Sequence, residues 1–223
     1  MCSSDLPLFL DLRKRRCLVV GGGGVGTRKA GSLVRYGAEV TVISHEFSQE
    51  LVEMGKSGNP LLVSKDYETS DLDGMFLVFA ATDKRALNEK IGRDSEERGK
   101  LFSLADDPDG SCFITPSVIQ RGDLTFAIST TGKSPALARK IRQDLESLYG
   151  PEYGIFLKIM GDVRKQILDL GHDPDNHARL FRQVIDRDVP AMIKEGRDNE
   201  VKDLFRDIFK MDFDDGIFTG LKD

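Results

Sequence analysis

Glycines at fixed spacing follow the first strongly apolar stretch of the chain. Gly21, Gly23 and Gly26 have the G-x-G-x-x-G spacing, directly after the apolar residues 17–20 and before a helical pattern. Such a turn lets the backbone approach a pyrophosphate closely, and the helix after it points its N-terminal N–H groups at the phosphates. A glycine-rich turn by itself can be purely structural, so its interpretation depends on its neighbours. Here the strand and the helix on either side predict a dinucleotide site.

Further contacts to a dinucleotide are predicted where later apolar runs end. Ser44 follows the second run, where many NAD-binding proteins place an acid on the ribose hydroxyls. No Asp or Glu ends this run. Glu46 could reach the ribose, but such a residue is more often a solvated loop charge, so the choice between NAD and NADP stays open. Ala81 and Thr82 leave room for a ligand, although Thr82 or Asp83 could instead cap a helix. The predicted cofactor-binding residues are Gly21, Gly22, Gly23, Gly24, Val25, Ser44, Ala81 and Thr82.

A second group of candidate residues is basic. Residues 113–145 contain five basic and two acidic residues, a local charge of +3 in a chain with a net charge of −5. A positive field within an acidic protein favours an anionic ligand, whereas a solvated helix face is the better explanation for Arg142 alone. Lys133 and Ser134 stand beside a glycine and a predicted helix start, where backbone N–H groups converge. These two are the stronger candidates for binding.

The order of predicted elements indicates an α/β fold. Helical patterns alternate with short continuous apolar runs, which are typical of strands buried on both faces of a parallel sheet. The first helical pattern ends at Gly37, a residue type suited to the left-handed position after a helix. A Rossmann-like parallel sheet is therefore predicted, with strands at residues 17–20, 40–43, 61–63, 75–81 and 101–104.

The pattern changes after the fifth strand. Residues 113–129 form two predicted strands around the turn Gln120-Arg121-Gly122-Asp123, the pattern of a β-hairpin outside the parallel sheet. Ser134 is then a candidate N-cap for a further helix. From residue 151 onward the apolar residues follow the 3.6-residue period, which predicts a small helical domain. His172 and His177 lie in a polar break there and are interpreted as turn residues, so no metal site is predicted.

Composition argues against several classes of partner. The acidic net charge provides no global basic surface for nucleic acid. No apolar run reaches the ~20 residues that cross a membrane, and the N-terminus lacks the pattern of a secretory signal. Cys2, Cys17 and Cys112 are odd in number and widely spaced, so they form neither a disulfide framework nor a metal motif. A cytoplasmic protein without nucleic-acid or membrane partners is expected.

Five short segments together resemble the siroheme synthase family, in the family's order over about residues 5–150. They are residues 20–29, 80–83, 105–108, 113–117 and 129–139. The resemblance implies a Rossmann domain at 1–112, a dimerisation segment with exchanged strands at 113–150 and a helical domain at 151–223, in a homodimer. Gly26, where the family commonly has alanine, is a departure that leaves nucleotide binding intact. The methyltransferase domain that some members carry afterwards is not expected in 223 residues.

The resemblance also implies an activity and a set of site residues. Family members use NAD to oxidise precorrin-2 to sirohydrochlorin, and some also insert Fe²⁺ into sirohydrochlorin. Their aspartate falls on Asp106 here, and a carboxylate at a strand end is a credible base. Asp107 and Asp109 are better interpreted as turn residues. Because the substrate is a polycarboxylate, the candidates for binding it are Lys29, Arg121, Thr130, Lys133 and Ser134.

Two alternatives compete with this function. A short-chain alcohol dehydrogenase would need a Tyr-x-x-x-Lys pair, and none of the four tyrosines begins one. A non-catalytic module that binds a dinucleotide or a tetrapyrrole could use the same fold, because a fold alone does not define an activity. Turnover with stoichiometric formation of NADH would distinguish the dehydrogenase from such a module.

Overall fold

A computed structural model describes residues 5–169, 174–214 and 216–218. The chain forms two compact units, Met1–Thr115 and Pro116–Asp223. The finer division of the second unit near residue 150 stays a prediction. His172 lies outside the described residues, whereas His177 lies within a helix of the second unit.

The first unit contains a five-stranded parallel sheet with helices on its connections. The strands are β1 (Arg16–Val20), β2 (Glu39–Ile43), β3 (Leu61–Val63), β4 (Leu77–Ala80) and β5 (Leu101–Leu104), and the helices are α1 (Gly24–Arg35), α2 (Gln49–Gly55) and α3 (Arg85–Glu97), together with a short 3-10 turn at Thr69–Leu72. The strands lie in the order β3-β2-β1-β4-β5. The strand order reverses between β1 and β4, which is where ligands bind in open α/β sheets. The predicted Rossmann-like fold is confirmed.

The continuous apolar sequence of β1 reflects burial on both faces of the sheet. Cys17 and Val19 belong to one hydrophobic cluster, and Leu18 and Val20 belong to another on the opposite face. Successive side chains of a strand point to opposite faces, so a strand covered on both sides has to be apolar throughout. The central strand therefore ends in a fully packed environment immediately before the glycine turn.

The second unit combines a hairpin with five helices in the described part of the chain. Its strands β6 (Ser117–Arg121) and β7 (Leu124–Ile128) pair in antiparallel register and form a separate sheet, as the alternation predicted. The helices are α4 (Pro135–Leu148), α5 (Glu152–Asp169), α6 (Pro174–Ile185), α7 (Val189–Lys194) and α8 (Asp198–Phe209). Ser134 caps α4, because its hydroxyl accepts a hydrogen bond from the Leu137 N–H.

The helical part of this unit has its own core. Apolar residues of α5 at helical spacing, Ile159, Val163 and Ile167, pack with residues of α6, α7 and α8. Phe205 is fully buried at the centre and contacts three further phenylalanine rings, those of Phe209, Phe213 and Phe218. The predicted helical character of this region is confirmed. None of the helices in the described ranges is long and apolar enough to span a bilayer.

Candidate active site

Two glycines of the turn are required by close backbone approaches. Gly21 has a φ of +120°, and a Cβ there would lie 2.3 Å from the carbonyl oxygen of Ala81. A Cβ on Gly22 would lie 2.0 Å from the carbonyl oxygen of Glu46 and 3.0 Å from the Cβ of Ser44. The ends of β1, β2 and β4 therefore meet at this turn without room for side chains. Glycine fits both positions because it lacks a Cβ and tolerates positive φ.

Gly23 and Gly24, the next two glycines, border open space and do not pack against other residues. A Cβ on Gly23 or Gly24 would meet no heavy atom within 4 Å. Gly23 is the N-cap of α1 and supplies no side-chain hydrogen bond, and the first turn of α1 contains no acidic residue. The N-terminal N–H groups of a helix have no partners within the helix, so this end can bind an anion. The turn therefore fits the pyrophosphate of a dinucleotide, with Val25 exposed beside it.

Gly26 closes the turn from the helix side. A Cβ at this position would lie 1.9 Å from the carbonyl oxygen of Gly21. An alanine here would thus require the turn to shift. Glycine allows α1 to pack closely against the end of β1, which is the usual role of the third glycine in this spacing.

Two hydroxyl groups that no sequence motif indicated, those of Thr27 and Ser48, connect the glycine turn to the start of α2. The Thr27 hydroxyl donates to the Gly23 carbonyl oxygen at 2.9 Å and lies 2.7 Å from the Ser48 hydroxyl. Ser48 accepts a hydrogen bond from the Leu51 N–H at 3.1 Å, which caps α2. Because the Thr27 hydroxyl already donates its hydrogen bond to Gly23, the Ser48 hydroxyl is the donor in the contact between the two hydroxyl groups. The two residues are 21 positions apart, and no spacing rule pairs them.

A carboxylate is present near the end of β2, although the strand itself does not end in an acid. His45 follows Ser44, and its Nε2 lies 2.9 Å from Asp66 Oδ1, which follows β3. This hydrogen bond, together with the nearby histidine charge, lowers the pKa of Asp66 below its usual value. The loop after β3 thus brings a carboxylate beside His45, the second residue after β2.

Asp106 is the second residue after β5, and a buried side-chain amide links it to the loop that follows β4. The Asn88 side chain on α3 is fully buried, and its Nδ2 donates to Asp106 Oδ1 at 3.0 Å and to the Thr82 carbonyl oxygen at 3.0 Å. Its Oδ1 accepts from the Thr82 hydroxyl at 2.7 Å and the Thr82 N–H at 3.2 Å. The predicted cofactor residue Thr82 and the predicted base Asp106 therefore meet at Asn88.

The same contacts correct the predicted start of α3. The helix is capped by Lys84, without a side-chain hydrogen bond, and neither Thr82 nor Asp83 is its N-cap. The physical reason is that the Thr82 hydroxyl donates to Asn88, in the first half of the helix, and Thr82 stays in the loop after β4.

The other aspartates of the β5 loop differ from Asp106. Asp107 accepts a hydrogen bond from the Gly110 N–H at 3.0 Å, and its carbonyl oxygen accepts from the Ser111 hydroxyl at 2.8 Å. Asp107 thus stabilises the turn itself, a common role for this residue type. Asp109 is exposed, and its side chain makes no hydrogen bond or ion pair with the residues that the structure describes.

Lys29 is a partly buried cation on α1. Its Nζ donates to the Thr115 hydroxyl at 2.9 Å and lies 4.6 Å from the centre of the Phe79 ring. Burial, and secondarily the charge of Arg28, lower the pKa of Lys29. No carboxylate among residues 5–169 pairs with it. A desolvated ammonium group without a counter-ion favours an anionic ligand.

The candidates in the second unit have unequal freedom to bind a ligand. Arg121 is half-buried, and its Nε donates to the Tyr149 carbonyl oxygen at 3.0 Å. The Thr130 hydroxyl accepts from the Ser134 N–H at 3.2 Å, across a tight turn with Thr131 at a φ of +51°. Lys133 is exposed in this turn, and its ammonium group makes no ion pair with any described residue. Lys133 is therefore the freest predicted ligand of this unit.

Ion pairs within α4 neutralise part of the basic segment. Lys140 pairs with Asp144 at 2.5 Å, and Arg142 pairs with Glu146. Both pairs have the i,i+4 spacing of neighbours on one helix face. The side chains of Arg142 and Glu146 are only 29% and 33% exposed, and the interpretation of Arg142 as part of a solvated helix face stays a prediction.

The fold and the glycine turn define a dinucleotide-binding protein of the Rossmann type. Residues 8–117 match the family model described as "Putative NAD(P)-binding", and residues 121–148 match the one described as "Sirohaem biosynthesis protein central". Together the two models cover well over half of the chain. The chain belongs to the siroheme synthase family, which confirms the resemblance inferred from its motifs.

Individual relatives agree with this assignment. The siroheme synthase of Photobacterium profundum is 36% identical over 197 residues, which are 88% of this chain and 42% of that protein. The siroheme synthase of Photorhabdus laumondii is 40% identical over 162 residues, 73% of this chain and 34% of that protein. The chain spans about two-fifths of the length of the curated relatives it matches. The solved structure "SirC, precorrin-2 dehydrogenase" has a TM-score of 0.79 and 28% identity, and the match covers 93% of this chain and 100% of that one.

Proposed function

We propose that this protein is an NAD-dependent dehydrogenase that oxidises precorrin-2 to sirohydrochlorin. One observation carries the proposal: the open glycine turn and the Asp106 carboxylate lie at the same edge of one parallel sheet, the edge formed by the strands' carboxyl ends. The similarity over the full length of the structure named as a precorrin-2 dehydrogenase supports this choice of substrate.

The reaction removes a hydride and a proton from the macrocycle. NAD, when bound, accepts the hydride. Asn88 binds Oδ1 of Asp106, so Oδ2 is the atom that takes the proton and later releases it to water. The products are sirohydrochlorin, NADH and one proton, which balances the two electrons and two hydrogens lost by precorrin-2.

The substrate carboxylates require cationic and hydroxyl partners. Lys29 is the best supported of these, because its ammonium group is desolvated and has no acidic partner in the described part of the chain. Lys133 is exposed and unpaired among the described residues, and Thr130 and Ser134 present hydroxyl groups in the same turn. The Arg121 guanidinium already donates to the carbonyl oxygens of Tyr149 and Gln120, so only its remaining N–H groups can bind a substrate carboxylate.

The direct test is anaerobic turnover of the purified protein with precorrin-2 and NAD. We expect one NADH for each sirohydrochlorin formed, with NADP assayed in parallel. Tight binding of NADH without turnover would contradict the proposal and favour a non-catalytic binding module. Heat-inactivated protein serves as the control for spontaneous oxidation.

We further propose that Fe²⁺ is a second substrate. Insertion of iron requires the pyrrole nitrogens to lose two protons, and Asp106 can accept them one after the other, releasing the first to water before it takes up the second. Sirohydrochlorin and Fe²⁺ should react faster with the protein than in a protein-free control. An equal rate in both would leave a dehydrogenase without this second activity.

The proposed enzyme is a homodimer in the cytoplasm. The family's exchanged-strand segment supports the dimer, and the separate hairpin of β6 and β7 is the part of the chain that would exchange. Free Cys17 and Cys112 suit a reducing compartment. Sedimentation equilibrium at micromolar protein should give twice the chain mass, and a monomer would contradict the dimer.

Replacing Lys29 by methionine separates substrate binding from stability. We expect KM for precorrin-2 to rise about tenfold, since a charge-assisted contact is worth roughly 1.5 kcal/mol. Stability should not fall at pH 7, because the charged form of Lys29 is disfavoured in the folded state by burial. This penalty is complete below the lowered pKa and disappears above the ordinary value of 10.5.

The stability measurement is a series of thermal unfolding curves. The Lys29→Met variant should match or exceed wild type at pH 7, and its advantage should shrink as the pH approaches 10.5. Arg35→Met, which removes an exposed cation from the last turn of the same helix, is the matched control. An unchanged KM in Lys29→Met would remove Lys29 from the substrate site.

A further inference from the structure

Asn88 is a fully buried polar residue at the centre of the proposed site. Its amide makes four hydrogen bonds, three with Thr82 and one with Asp106. The other buried positions of α3 are Ile91, Gly92 and Ser95, which are apolar or small. A buried amide costs free energy unless all its groups are paired, and here both the oxygen and the nitrogen are.

We propose that Asn88 is a positioning residue, which holds Oδ1 of Asp106 at a fixed distance from the loop after β4. This inference rests on the proposed dehydrogenase function and on Asp106 as its base. Thr82 follows β4 and Asp106 follows β5, and the two strands are neighbours in the sheet. Asn88 therefore sets the spacing between the cofactor side and the proton-accepting side of the site.

Only a side chain that both donates and accepts can make these contacts. The Thr82 N–H requires an acceptor, whereas the Asp106 carboxylate requires a donor. Aspartate at position 88 would keep the acceptor and lose the donor. It would also place a second carboxylate about 3 Å from the first, where like charges oppose each other. The Asn88→Asp variant thus removes the support of Asp106 while it retains a bond to Thr82.

The test is a double-mutant cycle of Asn88→Asp and Asp106→Asn. We expect N88D to lower kcat about 10-fold or more while KM for NAD changes less than about twofold, since a base displaced from its reactive position loses much of its effect. In the D106N background, N88D should add less than about twofold, because residues that act as one unit are not additive. Ser95→Ala, a buried change on the same helix at a hydroxyl without a described partner, is the control and should leave kcat unchanged.

The double variant also separates positioning from folding. With N88D and D106N combined, the amide and the carboxylate exchange places, which restores one hydrogen bond with its direction reversed. Thermal stability should therefore recover relative to N88D alone, whereas turnover should stay at the level of D106N. Recovery of turnover together with stability, or equal losses from N88D in both backgrounds, would show that Asn88 serves the fold only.

Failures of the underlying function have different signatures. Wild-type turnover in D106N would remove Asp106 as the base and, with it, this role of Asn88. Absence of turnover in the wild-type protein would overturn the proposed function and the inference together. Unchanged kcat in N88D, with an impaired D106N, would overturn the inference about Asn88 alone.

Discussion

Replacing Asp106 by asparagine should lower kcat for precorrin-2 oxidation by about 100-fold or more, the usual contribution of a positioned general base. Asparagine has the same shape but cannot take up the substrate proton at Oδ2. Its side-chain oxygen can still accept the hydrogen bond from Asn88, so the loop after β5 should keep its conformation. The measurement is single-turnover formation of NADH under anaerobic conditions, with NAD binding determined separately. NAD affinity should change less than about twofold.

Two neighbouring aspartates supply matched controls for this variant. Asp109→Asn changes an exposed side chain in the same loop and should retain wild-type kcat. Asp107→Asn should also stay active, because the asparagine oxygen can accept the Gly110 N–H that holds the turn. If D106N turned over as fast as D109N, Asp106 would not be the base. A loss in D107N equal to that in D106N would instead indicate that the turn is what matters.

A methyl group on Gly22 should destabilise the first unit by about 2 kcal/mol or more, at the upper part of the range for overpacking. The added Cβ would lie 2.0 Å from the Glu46 carbonyl oxygen and 3.0 Å from the Ser44 Cβ, so backbone would have to move. The Glu46 carbonyl cannot rotate away as the end of a flexible side chain could. We expect Gly22→Ala to lower Tm by several degrees and to weaken NAD binding, as measured by calorimetry.

Gly24→Ala is the matched counterpart, because a Cβ there meets open space. Gly24 is the first residue of α1, so alanine should leave Tm equal to or slightly above that of wild type. NAD affinity should nevertheless fall about tenfold, since the methyl group occupies the face that a pyrophosphate approaches. Unchanged affinity in G24A, or unchanged Tm in G22A, would contradict this division between packing glycines and ligand-facing glycines.

Local patterns in the sequence determined most of the fold. Continuous apolar runs predicted the five parallel strands, because burial on both faces selects apolar residues at every position. The run at 75–81 was longer than the strand Leu77–Ala80, since apolar residues also pack outside regular structure. Alternation predicted the hairpin, and Ser134 predicted the start of α4. Each of these features depends on residues within a few positions of one another.

The family motifs identified the candidate site, but they could not describe its contacts. The motif segments predicted Asp106 and Thr82 separately, and only the fold joins them through Asn88. Lys29 was predicted as a ligand for carboxylates, whereas its contact with Thr115, 86 positions away, required the structure. The ion pairs within α4 lie between these two cases. Residues four apart are neighbours on a helix, so these pairs can be predicted from the sequence once the helix itself has been predicted.

What the sequence determined by itself was therefore the class of fold, the glycine turn and the family, all of which depend on short segments in order. The tertiary structure decided which glycines pack and which face a ligand, since a Cβ clash depends on the end of another strand. It also decided that Asn88 holds Asp106 and that Asp66 brings a carboxylate to β2. These contacts join residues from different strands and helices, and their distances are set by the packing of the sheet, which no local spacing encodes.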